Sequence, residues 1–187
     1  TPLYSSAASD VYKRQGVNHA RWDVMFPAMS SQSLSPASQF IVGVDLGGTN
    51  IVVSSMSLDG SRLFGAQSEP THAQEGADAV VARMARMVNT TIDITTHEAG
   101  VPRSAVLGVG IGAPGTVDRK RGLVLAAPNL KWYDFPLIDR MAALTGLPVR
   151  IDNDANCATY GEWWLGAARG GTNVVGVTIG TGVGGGI

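Results

Sequence analysis

The stretch FIVGVDLGGTN at residues 40–50 joins an apolar run to a turn with two glycines between Asp45 and Asn50. A second apolar run follows at residues 50–58, so the pattern predicts a β-hairpin with the glycines at its tip. Glycine lets backbone N–H groups approach phosphate oxygens, and the Thr49 hydroxyl adds a donor. Asp45 would hold Mg²⁺ through water, because Mg²⁺ keeps several of its waters and prefers a carboxylate plus phosphates.

A similar pattern recurs at residues 175–182, where VGVTIGTG matches VGVDLGGT at residues 42–49 in strand, turn and glycine placement. Two such turns predict duplicated halves that face each other across a ligand; chance resemblance of two ordinary hairpins is the alternative. Glycine fills most of residues 180–186, which implies a close backbone approach. A lone turn that contains Asp is an ordinary β-turn, so the phosphate interpretation needs this second turn and the acidic loop at residues 151–156.

Two familiar nucleotide-binding motifs are excluded. Residues 110–115 and 180–185 match G-x-G-x-x-G, but a dinucleotide fingerprint needs a helix that begins at the last glycine, and no helical pattern is visible there. The sequence also contains no G-K-[S/T] of a P-loop. Any phosphate must be held by a different arrangement of turns.

The order of the remaining patterns, βββαβαβα, predicts a mixed α/β sheet with right-handed crossovers. In the first helix, whose methionines are interpreted as core filler, apolar residues recur at helical spacing: Ala77, Val81, Met84, Val88 and Ile92. The helix ends before Gly100 and Pro102. The predicted strands are at residues 40–46, 50–58, 61–69, 105–114 and 147–154, and the predicted helices are at residues 75–96, 137–146 and 155–166.

The acidic loop IDNDAN at residues 151–156 lies between a predicted strand and a predicted helix. Asp152 or Asn153 would serve as the N-cap of that helix, but four polar residues exceed what capping needs. A carboxylate here, facing the phosphate turns, would be placed to accept a proton from a sugar hydroxyl that attacks a γ-phosphoryl group.

Composition excludes several partners. Lys and Arg number 14 against 15 Asp and Glu, so the formal charge of −1 creates no field that would collect nucleic acid or an anionic membrane. Residues 170–187 are uncharged, but they are rich in glycine and too short for the roughly 20 apolar residues of a membrane span. The single cysteine, Cys157, is interpreted as a small buried residue and fits a reducing compartment. The cytoplasm is the expected location.

Five segments resemble, in this order, the ROK family (repressors, open reading frames, kinases) within the actin-like, or hexokinase-like and RNase H-like, ATPase fold. The resemblance extends from Phe40 to Ile187 and implies an ATP-dependent sugar kinase, with the APNLKW segment similar to glucokinases in particular. The segments are DLGGTN at 45–50, GVGIGAPGTVD at 108–118, APNLKWYDFPL at 127–137, DNDANCATYGEWWLGAA at 152–168 and TIGTGVGGGI at 178–187.

The resemblance implies roles for individual residues. Asp154 is the expected catalytic base, Asp45 would bind Mg²⁺, and ATP is the expected phosphoryl donor. For Trp132, Trp163 and Trp164, packing and sugar stacking both remain open. The sugar pocket is expected to be lined by Gly112, Ala113, Pro114, Gly115, Asn129 and Asn153. The phosphate turns are expected to consist of Asp45, Gly47, Gly48, Thr49 and Asn50 in the first and Gly180, Thr181 and Gly182 in the second.

The chain is predicted to divide into three parts. Residues 1–38 lack periodicity and are expected to be disordered or extraneous. Residues 39–157 would form the first actin-like domain, and residues 158–187 would form the start of a second, truncated domain. The family's E-x-G-H segment, its zinc motif and a closing helix are expected past Ile187, so zinc is expected only there and this fragment is expected to be inactive alone. The full-length protein is expected to be a homo-oligomer, a dimer or a tetramer.

Four functions are compatible with these motifs. The first is phosphorylation of D-glucose to glucose 6-phosphate, and the second is phosphorylation of N-acetylmannosamine, N-acetylglucosamine, fructose or allose. The third is a sugar-responsive transcriptional repressor of the same family, and the fourth is an inert fragment. The intact DNDAN loop favours an enzyme, and residues 1–38 are too short and aperiodic for a DNA-binding domain.

Overall fold

The computed structural model describes residues 35–179 and 183–187. Residues 1–34 of the predicted N-terminal segment, and Gly180, Thr181 and Gly182 of the second predicted phosphate turn, lie outside the described residues. The described strands are β1 (Phe40–Leu46), β2 (Asn50–Ser57), β3 (Leu63–Pro70), β4 (Val106–Ala113), β5 (Thr116–Asp118), β6 (Leu123–Ala127), β7 (Trp132–Phe135), β8 (Val149–Asn153), β9 (Gly176–Ile179) and β10 (Val183–Gly186). The described α-helices are α1 (Ala77–Ala99), α2 (Leu137–Thr145) and α3 (Asp154–Trp164).

Five strands form the main sheet in the order β3-β2-β1-β4-β8. Strand β1 pairs antiparallel with β2 and parallel with β4, and β4 pairs parallel with β8. The predicted mixed sheet is thus confirmed, and β1, β4 and β8 all end at one edge. In β1, Phe40, Val42, Val44 and Leu46 are at most 4% exposed, because alternate side chains of a strand face the core.

Helix α1 packs its apolar stripe on this sheet. Met84, Val88 and Ile92 are fully buried, and burial of a side chain of this size stabilises a fold by about 1.5–3 kcal/mol. The methionines are therefore core residues, as predicted. The helix continues beyond its predicted end at residue 96, through a polar last turn, and ends where Gly100 adopts a left-handed φ of 67°.

The chain between β4 and α2 forms a second sheet, with the strand order β5-β6-β7. The sequence pattern does not predict this sheet. Its strands have three to five residues, too few for an alternation to be visible. The local signal is the turn at residues 119–122, where Gly122 has a φ of 73°. Between β6 and β7, the 3-10 turn Pro128–Leu130 carries Asn129 to the first glycine turn.

The β9–β10 hairpin packs on α3. A Cβ atom added at Gly176 or Gly186 would overlap the Thr159 hydroxyl, so glycine at both positions lets helix and hairpin approach closely. The glycines of residues 180–186 predict that the backbone approaches another group closely, and at Gly186 that group is helix α3. Among residues 35–179 and 183–187, no helix has the length and apolar character needed to cross a membrane.

Candidate functional site

Three predicted segments meet where the parallel strands end. The register pairs Asp45 of β1 with Gly112 of β4, and Gly112 with Asp152 of β8. One residue further along, Ala113 pairs with Asn153. The first glycine turn, the Gly112–Gly115 segment and the acidic loop therefore lie side by side, at the edge where α/β sheets bind ligands.

The first glycine turn is compact and has little spare room. The Gly47 N–H donates to the Asn50 carbonyl at 2.9 Å, and a Cβ atom at Gly47 would lie 2.8 Å from that same oxygen. A Cβ atom at Gly48 would lie 3.3 Å from the Asn129 Cβ. Asn129, predicted from the sequence as a sugar-binding residue, thus packs directly against the predicted phosphate turn.

Asn153 links the acidic loop to the Gly112–Gly115 segment. Its Nδ2 donates to the Gly115 carbonyl at 2.9 Å, while its Oδ1 accepts from the N–H groups of Ala155 and Asn156 at 3.0 and 3.2 Å. Asn153 is therefore the N-cap of α3, one of the two candidates for that role. Gly115 has a φ of 82°, and a Cβ atom there would overlap the Ala126 carbonyl, so this position requires glycine.

The two carboxylates of the acidic loop differ in their partners. Asp152 is fully engaged: Oδ2 accepts from Arg119 Nη1 at 3.0 Å, and Oδ1 accepts from the Asn153 N–H at 2.7 Å and from Asn156 Nδ2 at 3.1 Å. Asp154 begins α3, and its Oδ1 accepts from the Ala155 N–H at 2.8 Å. Within the described residues no cation pairs with Asp154, so its second oxygen is available to a ligand.

The negative charges of the site face one another. Burial, and after it the charge of Asp154, raises the pKa of the Asp45 carboxyl above its ordinary value. Burial first, and then the charges of Asp152, Asp154 and Asp45, raise the pKa of the Cys157 thiol to about 11. A cation bound here would relieve this repulsion.

Cys157 is exposed, so its prediction as a buried residue is wrong. It lies on α3 beside the sheet edge, where a Cβ atom added at Gly112 would lie 3.5 Å from Cys157 Sγ. One side of the sulfur is thus covered by the Gly112 backbone, which accounts for the loss of hydration. Its raised pKa makes the thiol a poor nucleophile at neutral pH.

Mg²⁺ fits this site only as an ion held largely by a bound phosphate. In the described part of the chain, no cluster of three or more His, Cys, Asp or Glu side chains would hold a metal ion by itself. Asp45 offers one carboxylate close to a second negative charge, which matches the way Mg²⁺ binds through a carboxylate, water and phosphate oxygens.

Trp132 is buried, whereas Trp163 and Trp164 are half-buried. Trp132 is 3% exposed and stacks on Phe135 with ring centroids 4.3 Å apart, so it is a core residue. Trp163 Nε1 donates to the Gly171 carbonyl at 2.9 Å and holds the segment after α3.

Two further residues bear on the site and were not predicted. Thr71 donates to carbonyl groups of the first glycine turn, and Arg119 pairs with Asp152. Both contacts join segments that are far apart in the sequence. The available local signals were Pro70 at the end of a strand and the basic turn at residues 119–121.

The sheet order and the three loops at its edge define an α/β protein of the actin-like ATPase fold. Within that fold the chain belongs to the ROK family, whose model matches residues 41–187. A glucokinase from Halalkalibacterium halodurans is 38% identical over 81% of this chain. The solved structure of a ROK family glucokinase from Streptomyces griseus, in complex with glucose and AMPPNP, is 38% identical with a TM-score of 0.68 over 78% of this chain.

The family also includes regulators, since a xylose repressor from Caldicellulosiruptor bescii is 33% identical over 79% of this chain and 36% of its own length. The chain spans less than half of the glucokinases as well: the matches cover 44% of the Halalkalibacterium protein and 43% of the Streptomyces one.

Proposed function

We propose that the full-length protein containing this chain is an ATP-dependent hexose kinase whose substrate is D-glucose and whose product is glucose 6-phosphate. The observation that carries the proposal is the meeting, at one sheet edge, of a glycine turn, a glycine-rich segment and a carboxylate that has no cationic partner among the described residues. Glucokinases at 38% identity support the choice of sugar.

Asp154 acts as the general base. Its free oxygen accepts the proton of the sugar hydroxyl while that hydroxyl oxygen attacks the γ-phosphorus and the bond to ADP breaks. Asp152 is less suited to this role, because Arg119, Asn156 and a backbone N–H occupy its oxygens. General-base assistance of this kind contributes about 10²–10⁴ in rate.

The residues beside Asp154 hold the sugar. Asn153 keeps the Gly115 backbone in place through its Nδ2, and Asn129 joins the sugar side of the site to Gly48. The sugar-binding residues are Gly112, Ala113, Pro114, Gly115, Asn129 and Asn153.

The first glycine turn binds the nucleotide phosphates, and Asp45 would hold Mg²⁺ through water. When bound, the ion screens the phosphate charges during transfer. The first turn contributes Gly47, Gly48, Thr49 and Asn50, and the second turn contributes Gly180, Thr181 and Gly182.

We further propose that residues 39–157 form the first domain and residues 158–187 begin the second. The division at residue 157 falls within α3, which contacts the main sheet at its start and the β9–β10 hairpin along its side. A helix shared in this way would transmit any closing movement of one half to Asp154.

A coupled ADP-release assay on the full-length protein tests the function. The panel is glucose, fructose, allose, N-acetylmannosamine and N-acetylglucosamine, each with ATP and Mg²⁺. Glucose is expected among the best substrates. A preference for another sugar of the panel would overturn the choice of glucose but not the kinase, whereas no ATP-dependent turnover with any sugar would favour a regulator like the xylose repressor.

A further inference from the structure

The residue that follows β3 holds the first glycine turn from the side. Thr71 is fully buried. Its Oγ1 donates to the Gly47 carbonyl at 2.7 Å, and its N–H donates to the Thr49 carbonyl at 2.8 Å. Because Pro70 pairs with Asn50 at the end of the β2–β3 ladder, Thr71 is the first residue beyond the ladder and reaches the tip of the hairpin.

Thr71 is itself held by α1. Arg83 Nη1 donates to the Thr71 carbonyl at 2.7 Å, and Arg83 Nη2 pairs with Glu75 at 2.5 Å. The Arg83 side chain is 15% exposed, so this contact is mostly shielded from water. His72 then adopts a left-handed φ of 50° and precedes the 3-10 turn Ala73–Glu75.

The Thr71 hydroxyl determines how one peptide of the turn is oriented. In a trans peptide the carbonyl and the following N–H point in opposite directions, so fixing the Gly47 carbonyl on Thr71 directs the Gly48 N–H to the other side. Glycine on both sides of this peptide would otherwise leave its rotation free. Within the described residues, the N–H groups of Gly48 and Thr49 donate to no protein acceptor.

We propose that Thr71 is a positioning residue for nucleotide binding: its hydroxyl fixes the Gly47–Gly48 peptide so that the Gly48 N–H faces the phosphates. This rests on the proposed function, since the phosphates are those of the ATP that the kinase uses. Thr71 itself touches no substrate and acts through the turn.

The test compares three variants of the full-length protein. Thr71→Val keeps the shape of the side chain and removes the hydroxyl, and Thr71→Ser keeps the hydroxyl. Thr95→Val is the matched control, because Thr95 is also fully buried but bonds to Ser55 Oγ and the Thr91 carbonyl, away from the site.

Thr71→Val is expected to raise KM for ATP about tenfold, because the partly buried Gly47 carbonyl loses its donor and the Gly47–Gly48 peptide loses its fixed orientation. KM for the sugar is expected to stay within about twofold, since the sugar-side contacts remain. Thr71→Ser and Thr95→Val are expected to keep KM for ATP within about threefold. Hydrogen exchange of residues 46–50 should accelerate in Thr71→Val alone.

An unchanged KM for ATP in Thr71→Val, or an equal rise in Thr95→Val, would overturn the proposal. If Thr71→Val does not fold, Arg83→Gln is measured instead, and it is expected to raise KM for ATP about threefold. An unchanged KM for ATP in Arg83→Gln would also overturn the proposal. If the wild type phosphorylates no sugar, the proposed function fails. The role of Thr71 is then tested by the dissociation constant of a non-hydrolysable ATP analogue, measured for the same variants. Absence of nucleotide binding would overturn both.

Discussion

The two glycine-rich hairpins resemble each other in sequence but differ in what supports them. The β1–β2 hairpin is part of the main sheet, and Val42 and Val44 of β1 are at most 4% exposed. In the β9–β10 hairpin Val177 and Val183 are 65% and 79% exposed, and the hairpin packs on α3. Within these 187 residues, the same pattern of strand, turn and glycine thus packs in a sheet core in one case and against a helix in the other.

The glycines accordingly serve different purposes. Gly47 allows the tight turn at the tip of the first hairpin, where Thr71 and Asn129 hold it on two sides. Gly176 and Gly186 allow α3 to pack closely against the second hairpin, because neither has a Cβ atom that would overlap Thr159. Since α3 begins at Asp154, the second hairpin and the proposed base share one helix.

Separating the second hairpin from its helix should have the largest effect on stability. Gly186→Ala brings a methyl group into overlap with the Ala155 carbonyl, and it is expected to lower the free energy of unfolding by about 3 kcal/mol. Gly185→Ala is the control, since its methyl group would lie 3.8 Å from the nearest atom, the Gly176 carbonyl oxygen. Urea unfolding of the 187-residue chain measures both, and equal values would contradict support by α3.

The difference in burial predicts a smaller effect within the strands. Val44→Ala removes two methyl groups from the core and is expected to cost about 2 kcal/mol. Val177→Ala, at an exposed position, is expected to cost less than about 0.5 kcal/mol. Equal losses in urea unfolding of the same chain would show that the two valines are equally buried in solution.

How much the sequence predicts follows from the range of each interaction. The alternation of FIVGVDL and the helical spacing around Met84 are local, and both predict the observed elements. The strands β5, β6 and β7 are too short to show a period. The Thr71–Gly47 and Arg119–Asp152 contacts depend on the pairing of distant strands, which no local pattern reveals.

In the site, too, local sequence patterns predict the single motifs but not the contacts between them. Asp45, Gly112 and Asp152 were predicted as separate motifs, and the parallel register brings them together. The distinction between an engaged Asp152 and an available Asp154 required the positions of Arg119 and Asn156.

Cys157 lies on the helix that begins at Asp154, and its alkylation reports the negative charge of the site without any substitution. Because the pKa of its thiol is raised to about 11, only about 10⁻³ of it is thiolate at pH 8. Alkylation by iodoacetamide, followed by peptide mass spectrometry, should therefore accelerate about tenfold per pH unit until close to pH 11. A plateau near pH 8.5, where an ordinary thiol ionises, would contradict the acidic surroundings.

The role of Asp154 is tested most directly by the kcat of the full-length protein with Asp154→Asn, measured beside Asp152→Asn. Asp154→Asn is expected to lower kcat by about a hundredfold or more, because the general base is lost, while the nucleotide dissociation constant changes little. Asp152→Asn removes a charge from the same loop and is expected to have the smaller effect on kcat. An unchanged kcat in Asp154→Asn would contradict the assignment of Asp154 as the base.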